Sequence, residues 1–269
     1  GHVSVPNRGW TPVTVPGCVD AWGMLAERFG SMPLDRLLGP AIELARDGFA
    51  VSPVVAFFWA KAAAEYGMLK GAEFDGWRQT FLRDGKPPRA GQRWALPGHA
   101  ATLARIAERG SRDFYEGETA ELILAYSAAS GGILTADDLA THHGDWVTPI
   151  SAAYRDHELW EIPPNGAGLA ALQALSIMDG IAPGASHVDT DHWHTAIEAM
   201  KIAFADAEKY IADPTRKPVP TEALLDANYI ASRRALIGNV ATAPMAGTPP
   251  KGGTVYLCAA DKDGMMVSF

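Results

Sequence analysis

The 269-residue chain lacks the abundant cysteines, long apolar runs and basic runs that are typical of disulfide-rich, membrane-spanning and nucleic-acid-binding proteins. Its two cysteines, Cys18 and Cys258, are too few for a disulfide framework, and their apolar contexts predict small buried side chains. No stretch approaches the roughly eighteen consecutive apolar residues that a membrane helix needs. No run of Lys or Arg occurs, and the net charge of −8 argues against nucleic acid or an acidic membrane surface as a partner.

The N-terminus lacks a basic region followed by an apolar one, so we expect no signal peptide in these residues. Gly1 and His2 have the composition of a remnant left by a removed tag. In that case a native leader would not be represented, and the sequence leaves the cellular compartment open.

Apolar residues at helical spacing predict that most of the chain is helical. The predicted helices cover residues 22–29 (ended by Gly30), two consecutive helices within 32–49 that are separated at Pro40, 53–70, 99–108, 116–129, a Leu/Ala-rich helix that reaches about Met178, 192–211 and 221–236. Residues 71–98 are rich in Gly and Pro and are predicted to be mostly loop. Thr135 and Asp138 form a predicted capping box at the start of a further short helix.

The clearest predicted helix, residues 192–211, has a continuous apolar stripe along one side. The stripe consists of Trp193, Ala196, Ile197, Met200, Phe204, Ala207 and Ile211.

Two segments change to β-strand chemistry. Residues 147–162 predict a hairpin that is interrupted at Arg155-Asp156. The last sixteen residues predict two strands joined by the turn at 261–264. Both faces of the first of these strands, TVYLCAA, are apolar, which predicts burial on both sides. A two-stranded ribbon cannot provide that burial, so we expect the sheet to be incomplete in this chain.

Most other candidate sites have a simpler structural interpretation. His192 and His194 point to different sides of a helix, His142-His143 has no third ligand at a useful spacing, and we therefore predict no metal. The carboxylates of Asp137 and Asp138 are explained by capping. No Gly-x-Ser-x-Gly elbow and no phosphate-binding loop after a strand occur, so no cofactor is predicted.

Thr254, directly after Gly252-Gly253, is the one candidate for a reacting group. A threonine hydroxyl needs a nearby base, and the α-amine of an N-terminal threonine can be that base once the preceding bond is cut. Two glycines would let the scissile peptide reach a strained geometry. The local sequence alone nevertheless favours a plainer interpretation, a loop that enters a strand.

The chain resembles the γ-glutamyltranspeptidase family of N-terminal-nucleophile hydrolases from about Val13 to Phe269. The resemblance rests on six landmarks that occur in the family's order: VTVPGCVDAW; FGSMPLDRLLGPAIELARDGF; RDFYEGETAELI; GGILTADDLA followed by TPISAAYRDHELWEIPPNGAG; EAMKIAFADAEKYIADP; and GGTVYLCAADKDGMMVSF. One landmark would be weak support, whereas six in register are specific.

This resemblance implies an α+β fold, the helix-rich large-subunit portion of a four-layer αββα sandwich. It implies a single-domain fragment, residues 1–269, with large-subunit residues 1–253 joined to the uncleaved start of a small subunit, residues 254–269. Thr254 would be the nucleophile, and the Gly253–Thr254 bond the autoprocessing site. The partners would be a γ-glutamyl amide such as glutathione and the chain's own small subunit, and the location would be periplasmic or secreted.

Two departures from the family pattern bear on the substrate and on activity. Many transpeptidases have Thr-His-Tyr after the nucleophile, whereas Val255-Tyr256-Leu257 here is similar to the acylase-like branch, including cephalosporin acylases. The family's substrate-binding arginine would lie before this chain, and its oxyanion glycines and glutamyl-binding residues after Phe269. We therefore expect these residues alone to be inactive, since the hydrogen-bond donors that stabilise the negatively charged oxygen in the transition state would be missing.

Three hypotheses follow. The first is a γ-glutamyl hydrolase or transferase, and the second is an acylase that acts on another amide, such as a cephalosporin side chain. The third is a homologue that does not process itself and has a structural or binding role. Retention of Thr254 after Gly-Gly favours catalysis over the third.

Overall fold

The computed structural model describes residues 4–181, 189–242, 258–260 and 266–268. The chain forms two compact units, residues 1–145 (unit 1) and 146–269 (unit 2). The predicted single domain and its division into residues 1–253 and 254–269 stay predictions.

Unit 1 is built almost entirely from helices. Its elements are α1 (Cys18–Phe29), α2 (Leu34–Asp47), β1 (Phe49–Ala50), α3 (Pro53–Tyr66), a 3₁₀ turn (Ala72–Phe74), α4 (Asp75–Phe81), β2 (Arg93–Trp94), α5 (Pro97–Arg109), α6 (Asp113–Glu116), α7 (Glu118–Ala129) and α8 (Ala136–Ala140). The two short strands pair antiparallel. The predicted helices of unit 1 are confirmed except for the break in α2, and the structure adds α4 and α6.

The core of unit 1 forms around three buried side chains, Val19, Ile106 and Tyr115. Leu34 and Leu38 of α2 pack against this cluster, and α2 lies alongside α5. Burial of these apolar side chains from three separate helices is the main favourable term that holds the unit together.

The predicted break at Pro40 is wrong, because α2 continues through that residue from Leu34 to Asp47. Proline removes one backbone donor, and it disfavours helical backbone at the preceding residue mainly through that residue's Cβ. The preceding residue is Gly39, which has no Cβ. Buried contacts of Leu38 before the proline and Ala45 after it keep the two halves in one helix.

The prediction that residues 71–98 are mostly loop is wrong for α4. Trp77 contacts the rings of Tyr66 and Phe81, with centroids 5.5 and 5.6 Å apart. Trp59 Nε1 donates a hydrogen bond to the carbonyl of Phe81 at 2.9 Å, which satisfies an acceptor at the end of the helix. These contacts with α3 come from side chains more than ten residues away, and they outweigh the low helix propensity of Gly76.

Unit 2 combines a hairpin with a helical layer. Its elements are β3 (Ile150–Tyr154), β4 (His157–Glu161), α9 (Gly168–Asp179), α10 (Thr190–Tyr210), α11 (Thr221–Leu224), α12 (Ala227–Arg234), β5 (Cys258–Ala260) and β6 (Met266–Ser268). The predicted hairpin is confirmed, with Ile150 opposite Glu161 and Tyr154 opposite His157. The predicted pairing of the last two strands is also confirmed, with Cys258 opposite Ser268.

Helices α9 and α10 pack through small side chains. Ala170 and Ala174 of α9 and Ala203 of α10 are all buried in one cluster. A second cluster joins Ile177, Ile202 and Ile230, and so adds α12. Alanine lets the two helix backbones approach closely, and the isoleucines then fill the wider space between three helices.

Most of the apolar stripe seen in the sequence is not buried against α9, although Ala207 of the stripe packs against the α9–α10 cluster. Trp193, Ile197, Met200 and Phe204 of that stripe are 40–56% exposed. The buried residues of α10 include two carboxylates, Glu198 and Asp206.

The predicted helix at 221–236 is divided in two. Asp226 lies between α11 and α12, and its Oδ1 accepts hydrogen bonds from the backbone N of Asn228 at 2.9 Å and of Tyr229 at 3.0 Å. Asp226 is therefore the N-cap of a new helix rather than an interior residue.

The described residues are helix-rich with three two-stranded antiparallel sheets, which confirms the α+β class. The four-layer sandwich and the incomplete sheet stay predictions. The predicted burial of Cys18 is wrong, since this free cysteine at the start of α1 is exposed. Among the described residues, no helix is long and apolar enough to cross a membrane.

The capping box of α8 gives a test of the local fold. Thr135 Oγ1 accepts from the backbone N of Asp138 at 3.2 Å, and Asp138 Oδ2 accepts from the backbone N of Thr135 at 2.8 Å, as predicted. Thr135→Ala should lower the free energy of unfolding by about 1 kcal/mol and speed hydrogen exchange at the Asp138 amide. Denaturant unfolding and exchange mass spectrometry of the full-length protein would measure both. Thr148→Ala, at an exposed threonine outside the helices, should change neither.

Candidate functional site

The predicted catalytic residue Thr254 and the predicted autoprocessing residue Gly253 lie outside the described residues. Their roles stay predictions. The described residues that flank them in the sequence are Thr242 on one side and β5, from Cys258, on the other.

Thr242 is held by an ion pair on one turn of α10. Glu198 Oε2 accepts from the backbone N of Thr242 at 3.1 Å and from its Oγ1 at 2.5 Å. Lys201 Nζ donates to Glu198 Oε1 at 2.6 Å and also to the carbonyl of Thr242. The backbone donor, the backbone acceptor and the hydroxyl of one residue are thus all bound. We call Glu198, Lys201 and Thr242 the α10 clamp.

The carboxylate of Glu198 is ionised in this site although its side chain is only 2% exposed. Burial on its own raises the pKa of a carboxyl group. The hydrogen bonds from Lys201 and Thr242 outweigh burial and lower the pKa of Glu198 from 4.5 to about 2. Glu198 therefore keeps its charge at every ordinary working pH.

A second contact holds the chain after α12 four residues before Thr242, and we call residues 238–242 the connecting segment. The ring of His194, one turn before Glu198 on α10, lies with its Nε2 2.8 Å from the carbonyl of Gly238. Residues four apart lie on the same face of a helix. The face that carries His194 and Glu198 thus holds the segment at two points, Gly238 and Thr242. Among the described residues, no three His, Cys, Asp or Glu side chains are grouped as a metal site.

The other buried carboxylate of α10, Asp206, joins three helices. Its Oδ2 accepts from Gln173 Nε2 of α9 at 2.8 Å and from the hydroxyl of Tyr229 of α12 at 2.9 Å. Its Oδ1 lies 2.9 Å from the guanidinium of Arg233. Burial and the hydrogen bond to Asp206 raise the pKa of Tyr229 to about 12, so the phenol stays protonated and donates. The function of this network is structural, because it connects elements of the fold to one another.

Unit 1 has a buried polar cluster where the segment before α1 meets α6. The hydroxyl of Tyr115 donates to the carbonyl of Pro16 at 2.6 Å and accepts from the backbone N of Asp20 at 3.1 Å. Burial raises the pKa of this hydroxyl. The ring of His142 lies against that of Tyr115, with centroids 5.2 Å apart, and a Cβ at Gly17 would lie 3.2 Å from His142 Nε2. His142 is thus a packing residue.

A groove of about 980 Å³ lies in unit 1 among α1, α4, α5 and α7. Most of its lining is apolar and includes Trp22, Leu103 and Ile106. Arg105 lies in the wall, but its guanidinium donates to Thr119 Oγ1 at 3.0 Å and to Glu118 Oε1 at 3.1 Å. The groove therefore presents an apolar surface rather than an anion site.

The α10 clamp was not predicted from the sequence. Glu198 and Lys201 occur in the landmark EAMKIAFADAEKYIADP, but a Glu and a Lys three residues apart on a helix ordinarily form an exposed pair. The available signal was the position of Glu198, which shares a helix face with Ile202 and Asp206. The contact with Thr242, 44 residues later in the chain, had no sequence signal.

A family model described as Gamma-glutamyltranspeptidase matches residues 1–269. The chain is 32% identical over 271 residues to the glutathione hydrolase-like YwrD proenzyme of Bacillus subtilis (strain 168). This match covers 100% of this chain and 50% of that protein. It is 36% identical over 231 residues to the acylase ACY 1 proenzyme of Pseudomonas sp. (strain V22), with 85% of this chain and 40% of that protein covered.

The fold is similar to the crystal structure of cephalosporin acylase from Bacillus halodurans. The TM-score is 0.86 and the sequence identity 44%, over 98% of this chain and 48% of that chain. The chain therefore spans about half the length of these relatives.

The low pKa of Glu198 predicts a specific dependence of stability on pH. The folded-state pKa of about 2 is below the ordinary 4.5, so the contribution of Glu198 to stability is complete above about pH 4.5. It is lost as the pH falls towards 2, because the unfolded chain then binds the extra proton more readily. Glu198→Gln should therefore lower the unfolding temperature at pH 6, and the difference from wild type should shrink steadily below pH 4.5.

Thermal unfolding of the full-length protein at pH 6, 4 and 3 would measure this difference. Glu116→Gln removes a carboxylate of similar helical spacing in an exposed pair with Arg112 and is the matched control. A constant difference between wild type and Glu198→Gln over this range would contradict the assignment.

Proposed function

Because the chain belongs to the γ-glutamyltranspeptidase family, we propose that it is part of an enzyme that cleaves an amide bond through an acyl-enzyme on Thr254. The observation that carries this proposal is the position of Thr254 directly after Gly252-Gly253, within the residues that the family model matches. Relatives named as proenzymes support the idea that the chain is first made in an inactive, uncleaved form.

The proposed first step is self-cleavage. The hydroxyl of Thr254 attacks the carbonyl carbon of Gly253, and the peptide C–N bond breaks as its nitrogen takes up a proton. An ester then links Gly253 to the threonine oxygen. Water hydrolyses this ester, so that Gly253 becomes a carboxylate and Thr254 the first residue of a new chain with a free α-amine.

The proposed second step repeats this chemistry on a substrate. An α-amine has a pKa of about 8, so a useful fraction is neutral near pH 7 and can accept the proton of the Thr254 hydroxyl. The oxygen attacks the substrate amide, and the amine portion leaves with a proton. Water, or an acceptor amine, then releases the acyl group from the threonine ester.

We propose a γ-glutamyl amide of the glutathione type as the first candidate substrate. The family description and the name of the B. subtilis relative, a glutathione hydrolase-like proenzyme, support it. No residue for binding the glutamyl group is assigned in this chain.

An acylase reaction on another amide, such as a cephalosporin side chain, is the second candidate. Two observations favour it: the 44% identity to a cephalosporin acylase, and Val255-Tyr256-Leu257 after the proposed nucleophile. Both candidates use the same nucleophile, so they differ only in the acyl group that is recognised. A homologue that does not process itself is the remaining alternative.

The proposed partner is the chain's own small subunit, which would begin at Thr254. The coverage supports this, since the matched relatives are about twice as long as this chain. The exposed apolar stripe of α10, with Trp193, Ile197, Met200 and Phe204, also supports it, because apolar side chains in a row at helical spacing ordinarily pack against another element.

Self-cleavage is tested on the full-length gene product by denaturing mass spectrometry over time. Wild type should give two pieces divided between Gly253 and Thr254. Thr254→Ala should stay intact because it has no attacking oxygen, whereas Thr254→Ser should still cleave. One intact mass for wild type after long incubation would contradict the proposal and favour the non-processing homologue.

The acyl group is tested on the processed enzyme with γ-glutamyl-p-nitroanilide and a cephalosporin. The first candidate predicts a kcat/KM at least about tenfold higher for the γ-glutamyl substrate, a transition-state difference of about 1.4 kcal/mol. A tenfold preference in the opposite direction would identify an acylase. Thr254→Ala should remove activity on both substrates.

A further inference from the structure

We propose that the α10 clamp is a positioning device for self-cleavage: Glu198, with Lys201, fixes Thr242 so that the segment which leads to the Gly253–Thr254 bond starts from a defined place and direction. This inference rests on the proposed function, because it assigns Glu198 a role in reaching that bond. In this proposal Glu198 acts through Thr242, so it is a positioning residue rather than a catalytic one.

The contacts of Glu198 in the clamp differ from those of Asp206, the other buried carboxylate of α10. Asp206, on the same helix, binds side chains of α9 and α12 and so ties helices together. The polar contacts of Glu198 go instead to Lys201, on its own helix turn, and to Thr242 in the connecting segment. The carboxylate therefore secures the connecting segment.

The clamp fixes direction as well as place. A single hydrogen bond would leave Thr242 free to rotate about it. Here the backbone N and hydroxyl of Thr242 bind Glu198, while its carbonyl binds Lys201, so donors and acceptors on both sides of the residue are held. The contact of His194 with Gly238 fixes the approach to this point.

The position of the clamp in the sequence connects it to the cleavage site. Thr242 precedes Thr254 by twelve residues, and β5 begins four residues after Thr254 at Cys258. The proposed scissile bond thus lies in a stretch with a clamped residue at one end and a paired strand at the other.

Two estimates indicate whether the clamp would affect cleavage through the length of the loop or through the direction of the chain. Without the clamp, the next described anchor is Gly238, and lengthening a loop by four residues changes the equilibrium constant for loop closure by a factor of less than about two. A displacement of about 1 Å in a reacting pair can cost about 100-fold in rate. An effect of the clamp on cleavage must therefore come from the direction of the chain rather than from loop length.

The most direct test uses two variants of Thr242 in the full-length proenzyme. Thr242→Val removes the hydroxyl but keeps the shape and the backbone, and Thr242→Ser restores the hydroxyl. We expect Thr242→Val and Glu198→Gln to slow cleavage at Gly253–Thr254 at least about tenfold, and Thr242→Ser to cleave at nearly the wild-type rate. Denaturing mass spectrometry gives the rates, measured well below the unfolding temperature of each variant.

Asp206→Asn is the matched structural control, because it weakens a buried carboxylate network on the same helix that does not include Thr242. We expect it to lower the unfolding temperature with less than about a threefold effect on cleavage below that temperature. If Asp206→Asn slows cleavage as much as Glu198→Gln, or if Thr242→Ser fails to restore the rate, the role of the clamp is only structural and the proposal is overturned.

The outcomes also separate this proposal from the one on which it rests. If wild type cleaves, Thr254→Ala does not, and the clamp variants cleave at the wild-type rate, the clamp proposal alone is overturned. If wild type does not cleave between Gly253 and Thr254, both proposals are overturned.

Discussion

The burial of two carboxylates on one face of α10 is the constraint around which unit 2 is arranged. Removing an ionised carboxylate from water costs several kcal/mol, so each one has to be met by donors. Asp206 obtains them from α9 and α12, and this fixes those helices against α10. Glu198 obtains them from Lys201 and Thr242, and this fixes the connecting segment. One helix therefore sets the position of three other parts of the unit.

Local sequence patterns predicted the elements that depend on residues close together in the chain. The capping box at Thr135 and Asp138, the hairpin at residues 147–162 and the long helix at 192–211 depend on residues a few positions apart, and all three are present. The errors came from contacts between distant residues. Pro40 is kept within α2 by packing on both sides of it, and α4 is stabilised by the contact of Trp77 with the ring of Tyr66 in α3.

The two parts of the candidate site, Thr254 and the α10 clamp, differ in how far the sequence predicts them. Thr254 was predicted from the resemblance to a family, and it lies outside the described residues, so its role stays a prediction. The α10 clamp was not predicted, because a Glu–Lys pair has the same sequence spacing whether it is exposed or buried. The helix face that Glu198 shares with Ile202 was a signal for its burial, but only the fold shows that a residue 44 positions later reaches it.

The close approach of Gly17 to the ring of His142 limits what the sequence resemblance implies about catalysis. In the landmark VTVPGCVDAW, the carbonyl of Pro16 accepts a hydrogen bond from the hydroxyl of Tyr115, and a Cβ at Gly17 would lie only 3.2 Å from His142 Nε2. These contacts involve only residues of unit 1 and are independent of Thr254. This landmark is therefore explained by the packing of unit 1 and carries no information about catalysis.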